Sequence, residues 1–138
     1  MGVEENKANV RRQIDECWNR GDYSGIPEII SPDYEYHSVR DFTGQEGFKQ
    51  IFVIWRTACP DIHAVIEELV AEDNTVVTNV SWKGTFTGNF LEFEPTGNKI
   101  DMKEVWIHQF SDGKVVEATP FANLLSLFQQ MGIKPRNM

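Results

Sequence analysis

Lys103-Glu104-Val105-Trp106-Ile107-His108-Gln109-Phe110-Ser111-Asp112-Gly113-Lys114-Val115-Val116-Glu117 is the stretch on which the fold turns. It reads as two strands joined by a Ser-Asp-Gly turn, a strong hairpin signal. Side chains alternate between the faces of a strand. Glu104, Trp106, His108 and Phe110 therefore share one face, and Val105, Ile107 and Gln109 share the other. An acid, two large rings and an imidazole side by side suit the lining of a small-molecule pocket better than a plain core.

Downstream of the hairpin, Leu124, Leu127, Phe128 and Met131 fall at helical spacing, so Asn123 to Met131 reads as a helix stopped by Gly132. Upstream, Ile62 to Ala71 and Thr75 to Thr87 are strand candidates around the turn Glu72-Asp73-Asn74. Between them and the hairpin, Gly88 to Gly97 is a loop carrying Phe90, Leu91 and Phe93, which either covers a site or plugs the sheet end. Further back, Phe48, Ile51, Phe52 and Trp55 sit at i, i+3, i+4, i+7 and predict a helix from Gly44 to Ala58, broken at Cys59-Pro60-Asp61. Tyr34 to Ser38 reads as a strand with Tyr34, Tyr36 and Ser38 on one side and Glu35 and His37 on the other.

The chain opens with a helix over residues 4 to 20, striped by Val10, Ile14, Cys17 and Trp18 and stopped at Gly21. Ser24 is placed to cap a short helix through Ile26, Ile29 and Ile30, closed by Ser31-Pro32. Helices first and sequential strands after imply one α+β domain over residues 1–138, its helices packed on a curved antiparallel sheet. Such packing leaves a cone able to hold a ligand.

Composition excludes several functions. The 138 residues fit one domain, and 41% are hydrophobic, with nine Phe and four Trp, so disorder is not expected. A net charge of -8 with no basic cluster repels phosphate backbones and anionic lipid, so neither nucleic acid nor membrane is an expected partner. No apolar run approaches a membrane span and the N-terminus has no signal core, so a soluble cytoplasmic protein is expected. Cys17 and Cys59 are not at metal-ligand spacing, and the three His show no H-x-H or H-x-x-x-H pattern, so no metal is expected. Neither a nucleophile triad nor a Gly-rich phosphate loop is present.

Short motifs along most of the chain resemble the SnoaL-like polyketide cyclases of the nuclear transport factor 2-like (NTF2-like) superfamily. They are Trp18-Asn19-Arg20-Gly21-Asp22, Ser31-Pro32-Asp33-Tyr34-Glu35-Tyr36-His37, Thr43-Gly44-Gln45-Glu46-Gly47-Phe48, Cys59-Pro60-Asp61, Pro95-Thr96-Gly97, Asp112-Gly113-Lys114-Val115-Val116-Glu117 and Gln130-Met131-Gly132. Their order and spacing carry the resemblance. It implies a cone-shaped α+β barrel, commonly a homodimer through its sheet, with an apolar pocket and no cofactor. It also implies ring closure by aldol condensation, with a pocket Asp as general acid/base and a His on the long strand. Here the acid's position falls on Asn123, the His position on Trp106, and a common Trp on Thr119.

Those departures leave Glu104, next to Trp106, as the residue best suited to acid/base work if its face is the pocket face; the alternative is a Glu on the solvated face, paired with Lys103 or Lys83. His37, at the end of its motif, could bind or shuttle a proton, or be a structural His bonded to a loop carbonyl. Asn123 could polarise a carbonyl or a water, or cap the last helix. Trp106, His108, Trp55, Thr119 and Phe93 are candidates for contact with a bound compound, although His108 and Trp55 fit plain structural roles as well. Arg40 and Arg56 read as surface charges.

Two functions follow. One is a cofactor-independent cyclase, isomerase or hydrolase acting on a hydrophobic ring or carbonyl compound. The other is a non-catalytic protein that binds a small hydrophobic ligand and has lost the family's acid and His. A scaffold that uses only the outer sheet face to dimerise is a weaker third.

Overall fold

The computed structural model describes residues 2–38 and 40–134. The stripe Val10, Ile14, Cys17 and Trp18 forms a helix as expected, but its winding changes midway. Helix α1 (Val3–Arg12) continues without a break as a π-helical segment, Gln13–Asn19. π-helical turns are rare and concentrate at functional sites. Here the wider turn carries both Gln13 and Trp18, which are buried.

The next segment departs from expectation in two places. Helix α2 (Ile26–Ile29) is capped by Gly25 and not by Ser24. Ser24 instead bonds Asp22 Oδ1 through its backbone N (3.0 Å) and its Oγ (2.7 Å). A short polar side chain can satisfy such a local turn as readily as a helix end. Strand β1 (Ile30–Tyr36) then runs straight through Ser31-Pro32. The register of β1 on its neighbour shifts between Ile30 and Glu35, and Pro32, with no N–H to donate, falls in that gap.

A two-residue strand that the sequence reading does not place, β2 (Phe42–Thr43), comes next, and the remaining elements lie close to where periodicity puts them: α3 (Gly44–Ala58), β3 (His63–Glu72), β4 (Thr75–Thr85), β5 (Lys99–Ser111), β6 (Lys114–Ala122) and α4 (Leu124–Met131). Gly132, at φ 78°, ends α4 in the left-handed conformation that a Cβ disfavours.

The strands form one sheet in the order β2-β1-β6-β5-β4-β3. Neighbours are antiparallel except β1 and β6, which run parallel, with Tyr36 beside Ala118. Along β5 the alternation is as read: Met102, Trp106, His108 and Phe110 are buried, Glu104 is half-buried, and Val105 is exposed. The inner face packs under the π-helical segment and α3. Trp18 sits at the centre, edge-on to Phe52 (4.9 Å) and stacked with Trp106 (5.8 Å) and Trp82 (6.5 Å).

The loop after β4 is pinned to the end of α3. Thr87 and Gly88 both donate their N–H to Ala58 O. A Cβ on Gly88 would lie 1.9 Å from Thr57 O, so only glycine fits there. This seating puts the Phe90 ring against Trp55, 4.7 Å between centroids.

Candidate functional site

The inner face of β5 and β6, the π-helical segment, α3 and α4 enclose a cavity of about 420 Å³. That is within the size range of small-molecule sites. Most of its wall is apolar, with Trp18, Phe48, Phe52, Trp55, Phe90 and Leu127 among the lining residues. The polar side chains on the wall are few: Gln13, Tyr34, Tyr36, Glu104, His108 and Thr119, with Ser38 and Arg40 at the mouth. Ser38, Arg40, Leu91 and Phe121 are the exposed residues of the lining and mark that mouth. Leu91 stands at φ 52°, which costs a branched side chain on the order of 1–2 kcal/mol. The paired backbone bonds between Phe90 and Phe93 hold it there.

Glu104 is the only carboxylate lining the cavity among the described residues. Trp82 Nε1 donates to its Oε1 (2.9 Å) and Trp106 Nε1 to its Oε2 (2.8 Å). Two indoles thus fix the carboxylate in one orientation. Each carboxylate oxygen can accept a further bond. Tyr36 also lines the cavity, and its hydroxyl is held well above its ordinary pKa by burial and, secondarily, by the Glu104 carboxylate, with Ser38 acting the other way. Tyr34, deeper in the wall, is raised well above its ordinary value by burial. Both phenols are neutral donors at physiological pH.

His108 is 4% exposed and lines the cavity. Burial alone pushes its pKa down to about 4, so the ring is neutral at pH 7. Among the described residues its Nδ1 has no hydrogen-bond partner, and neither has the buried Thr78 Oγ1 on the neighbouring strand. A buried polar atom left unpaired costs roughly 1–3 kcal/mol.

Of the residues expected at the site, Glu104, Trp106, His108, Trp55 and Thr119 do meet around this cavity. Three do not. His37 lies on the opposite face from Tyr36 and Ser38, with Glu35 (3.6 Å), Glu117 (3.7 Å) and Asp41 (3.8 Å) around its ring. Strand alternation already separated it from the tyrosines. Asn123 is exposed and caps α4, its Oδ1 accepting from Ser126 N at 3.0 Å. Its amide is therefore committed to the helix end. Phe93 sits behind Phe90, 6.5 Å away, and does not reach the cavity.

Five polar lining residues escape a reading of the sequence as site residues. Gln13 is legible only as part of a helix, Arg40 as a surface charge, and Tyr34, Tyr36 and Ser38 as one side of a strand. Gln13 is buried without an apolar signature, because its amide is paired with Asn9 Oδ1 at 2.9 Å, one helical turn before it. The cysteines are buried thiols. Burial raises Cys17 to about 12 and Cys59 to about 11, which leaves both poor nucleophiles. Outside the cavity, the ligand atoms of Glu35, His37 and Glu117 lie within 4.8 Å of one another, a cluster assembled across two strands that sequence spacing does not reveal. Among the described residues no helix is long and apolar enough to cross a membrane.

A family model described as SnoaL-like polyketide cyclase matches residues 8–131. The chain belongs to this family. It is 24% identical over 135 residues to the aklanonic acid methyl ester cyclase AcmA of Streptomyces galilaeus, covering 94% of this chain and 92% of that one. Among solved structures it resembles a proposed SnoaL-like polyketide cyclase of Jannaschia sp. CCS1, with a TM-score of 0.86, 26% identity, and 96% and 95% of the two chains covered. AclR, a proposed hydroxylase of Streptomyces galilaeus, matches with a TM-score of 0.81 and 28% identity over 97% of this chain and 89% of its own. In this SnoaL-like chain, the positions that the motifs give to the acid and the His hold a capping amide and an indole bound to Glu104.

Proposed function

We propose that this SnoaL-like protein is a cofactor-independent acid/base enzyme for a hydrophobic ring ketone, with Glu104 as the base. The observation that carries this reading is the one carboxylate on an apolar wall, oriented by two indole N–H groups. Glu104 takes a proton from the carbon next to the substrate carbonyl. The C–H electron pair moves onto the carbonyl oxygen and gives an enolate, which a neutral phenol such as Tyr36 stabilises by donating a hydrogen bond. Attack of the enolate carbon on a second carbonyl closes a ring, and return of the proton at another carbon isomerises the substrate. Similarity to AcmA, an aklanonic acid methyl ester cyclase, favours ring closure.

The test is exchange of the acetyl protons of 2-acetylnaphthalene and related aromatic ketones in D₂O, followed by NMR. Wild-type protein should accelerate exchange, and Glu104→Gln should lower the protein-dependent rate by about 100-fold or more. An equal rate in the variant removes Glu104 from the mechanism.

The clamp on Glu104 also favours a second reading, in which the carboxylate only holds the two indoles and the cavity binds without turnover. Tight binding across the panel with no exchange would select that reading.

A further inference from the structure

The proton-transfer chemistry uses one end of the polar wall and leaves the other without a task. Glu104 and His108 lie on the same face of β5, four residues apart, which separates their backbones by about 13 Å. The His108 end is the deep end, far from the exposed mouth residues. Asn9 on α1 donates to Gly113 O at the hairpin tip, and Trp18 stacks over Trp106. Gln13 lies between Asn9 and Trp18 along the helix, as His108 lies between the hairpin tip and Trp106 along β5. The two side chains therefore face the same stretch of cavity, and both are among its lining residues.

Their chemistry is complementary. Gln13 Nε2 is taken by Asn9 Oδ1, which leaves the amide oxygen as its free acceptor. A neutral imidazole carries one donor and one acceptor nitrogen. His108 is more than nine-tenths buried; its Nδ1 is enclosed and without a partner among the described residues, which leaves Nε2 as the nitrogen that can meet a ligand in the cavity. One acceptor and one donor–acceptor ring fit a hydroxyl, which both gives and takes a hydrogen bond. Neither side chain supplies a charge for an ionic substituent.

We propose that His108 and Gln13 form a second polar subsite, which takes a neutral hydroxyl at the end of the bound compound away from Glu104. The orientation rests on the reading of Glu104 as the carbonyl-side base. The subsite itself is tested by binding alone.

The experiment compares 2-acetylnaphthalene with 6-hydroxy-2-acetylnaphthalene, which carries a hydroxyl at the end opposite its ketone, by isothermal titration calorimetry. Wild-type protein should bind the hydroxyl compound about tenfold more tightly. The preference, read as the ratio of the two affinities within each protein, should vanish in His108→Phe and shrink in Gln13→Met. It should survive in Glu104→Gln, whatever that variant does to proton exchange. Equal binding of the two compounds by wild type, failure of both to bind, or a preference lost in Glu104→Gln and kept in His108→Phe would each overturn the subsite. Loss of exchange in Glu104→Gln with no preference in wild type would leave the base standing and the subsite refuted.

Discussion

His37 and His108 flank the same residue of β6 from opposite sides. His37 donates its backbone N–H to Ala118 O (2.9 Å), and His108 is paired with Ala118 across the β5–β6 ladder. One ring points to the outer face, its side chain 43% exposed, among three carboxylates within 4 Å. The other points inward, is buried in the cavity wall, and has no charged partner. The outer ring lies against Glu35 and Glu117, which are paired directly in the register of β1 on β6, where like charges repel. The inner His adds an enclosed polar atom, without a partner among the described residues, to a mostly apolar wall. Residue type and row in the sheet are shared; face alone separates a surface ring among carboxylates from a cavity wall.

The largest expected effect lies on the inner side. Glu104→Leu strips the acceptor from both Trp82 and Trp106, and should lower stability by about 4 kcal/mol, measured by denaturant unfolding. A loss under about 1 kcal/mol would show that the clamp contributes little.

The next test separates the two histidines by pH. The folded-state pKa of His108, about 4, lies below the ordinary 6.5. Between these values the unfolded chain binds a proton that the folded chain does not. Stability therefore falls as pH drops from about 6.5 to about 4, by about 3 kcal/mol in total, and is insensitive to this group above that window. His108→Phe should flatten this part of the curve, as read by unfolding at pH 7, 5.5 and 4. A curve as steep as wild type would locate the acid sensitivity elsewhere.

Asn123→Ala should cost about 1 kcal/mol, the usual effect of losing an N-cap, and leave ketone exchange unchanged. A large loss of exchange would return Asn123 to the site. The smallest change belongs to the outer His: His37→Ala should shift stability by about 0.5 kcal/mol or less, since exposed pairs are screened.

Strong local periodicity made much of this legible. The helix Gly44–Ala58 and the inward row Glu104, Trp106 and His108 follow from spacing alone. The same parity puts Tyr36 inside and His37 outside, so the motif that favoured His37 was overruled by a rule readable from the sequence. The contacts that escaped are non-local. Trp82 reaches Glu104 as a diagonal neighbour, since Val80 is the direct partner of Glu104 in the β4–β5 register. A change of helix winding at Gln13 leaves no trace in a pattern of apolar residues, and the parallel seating of β1 on β6 depends on two segments far apart in the chain.

That parallel seam also sets when the cavity comes into being. Tyr36 and Ala118 become neighbours only after more than half the chain has been laid down between them. Contacts of such long sequence separation form slowly and late in folding. A nascent chain lacking β6 and α4 holds the aromatic helices but no closed chamber, so a hydrophobic compound meets no receptor until those two elements have been made.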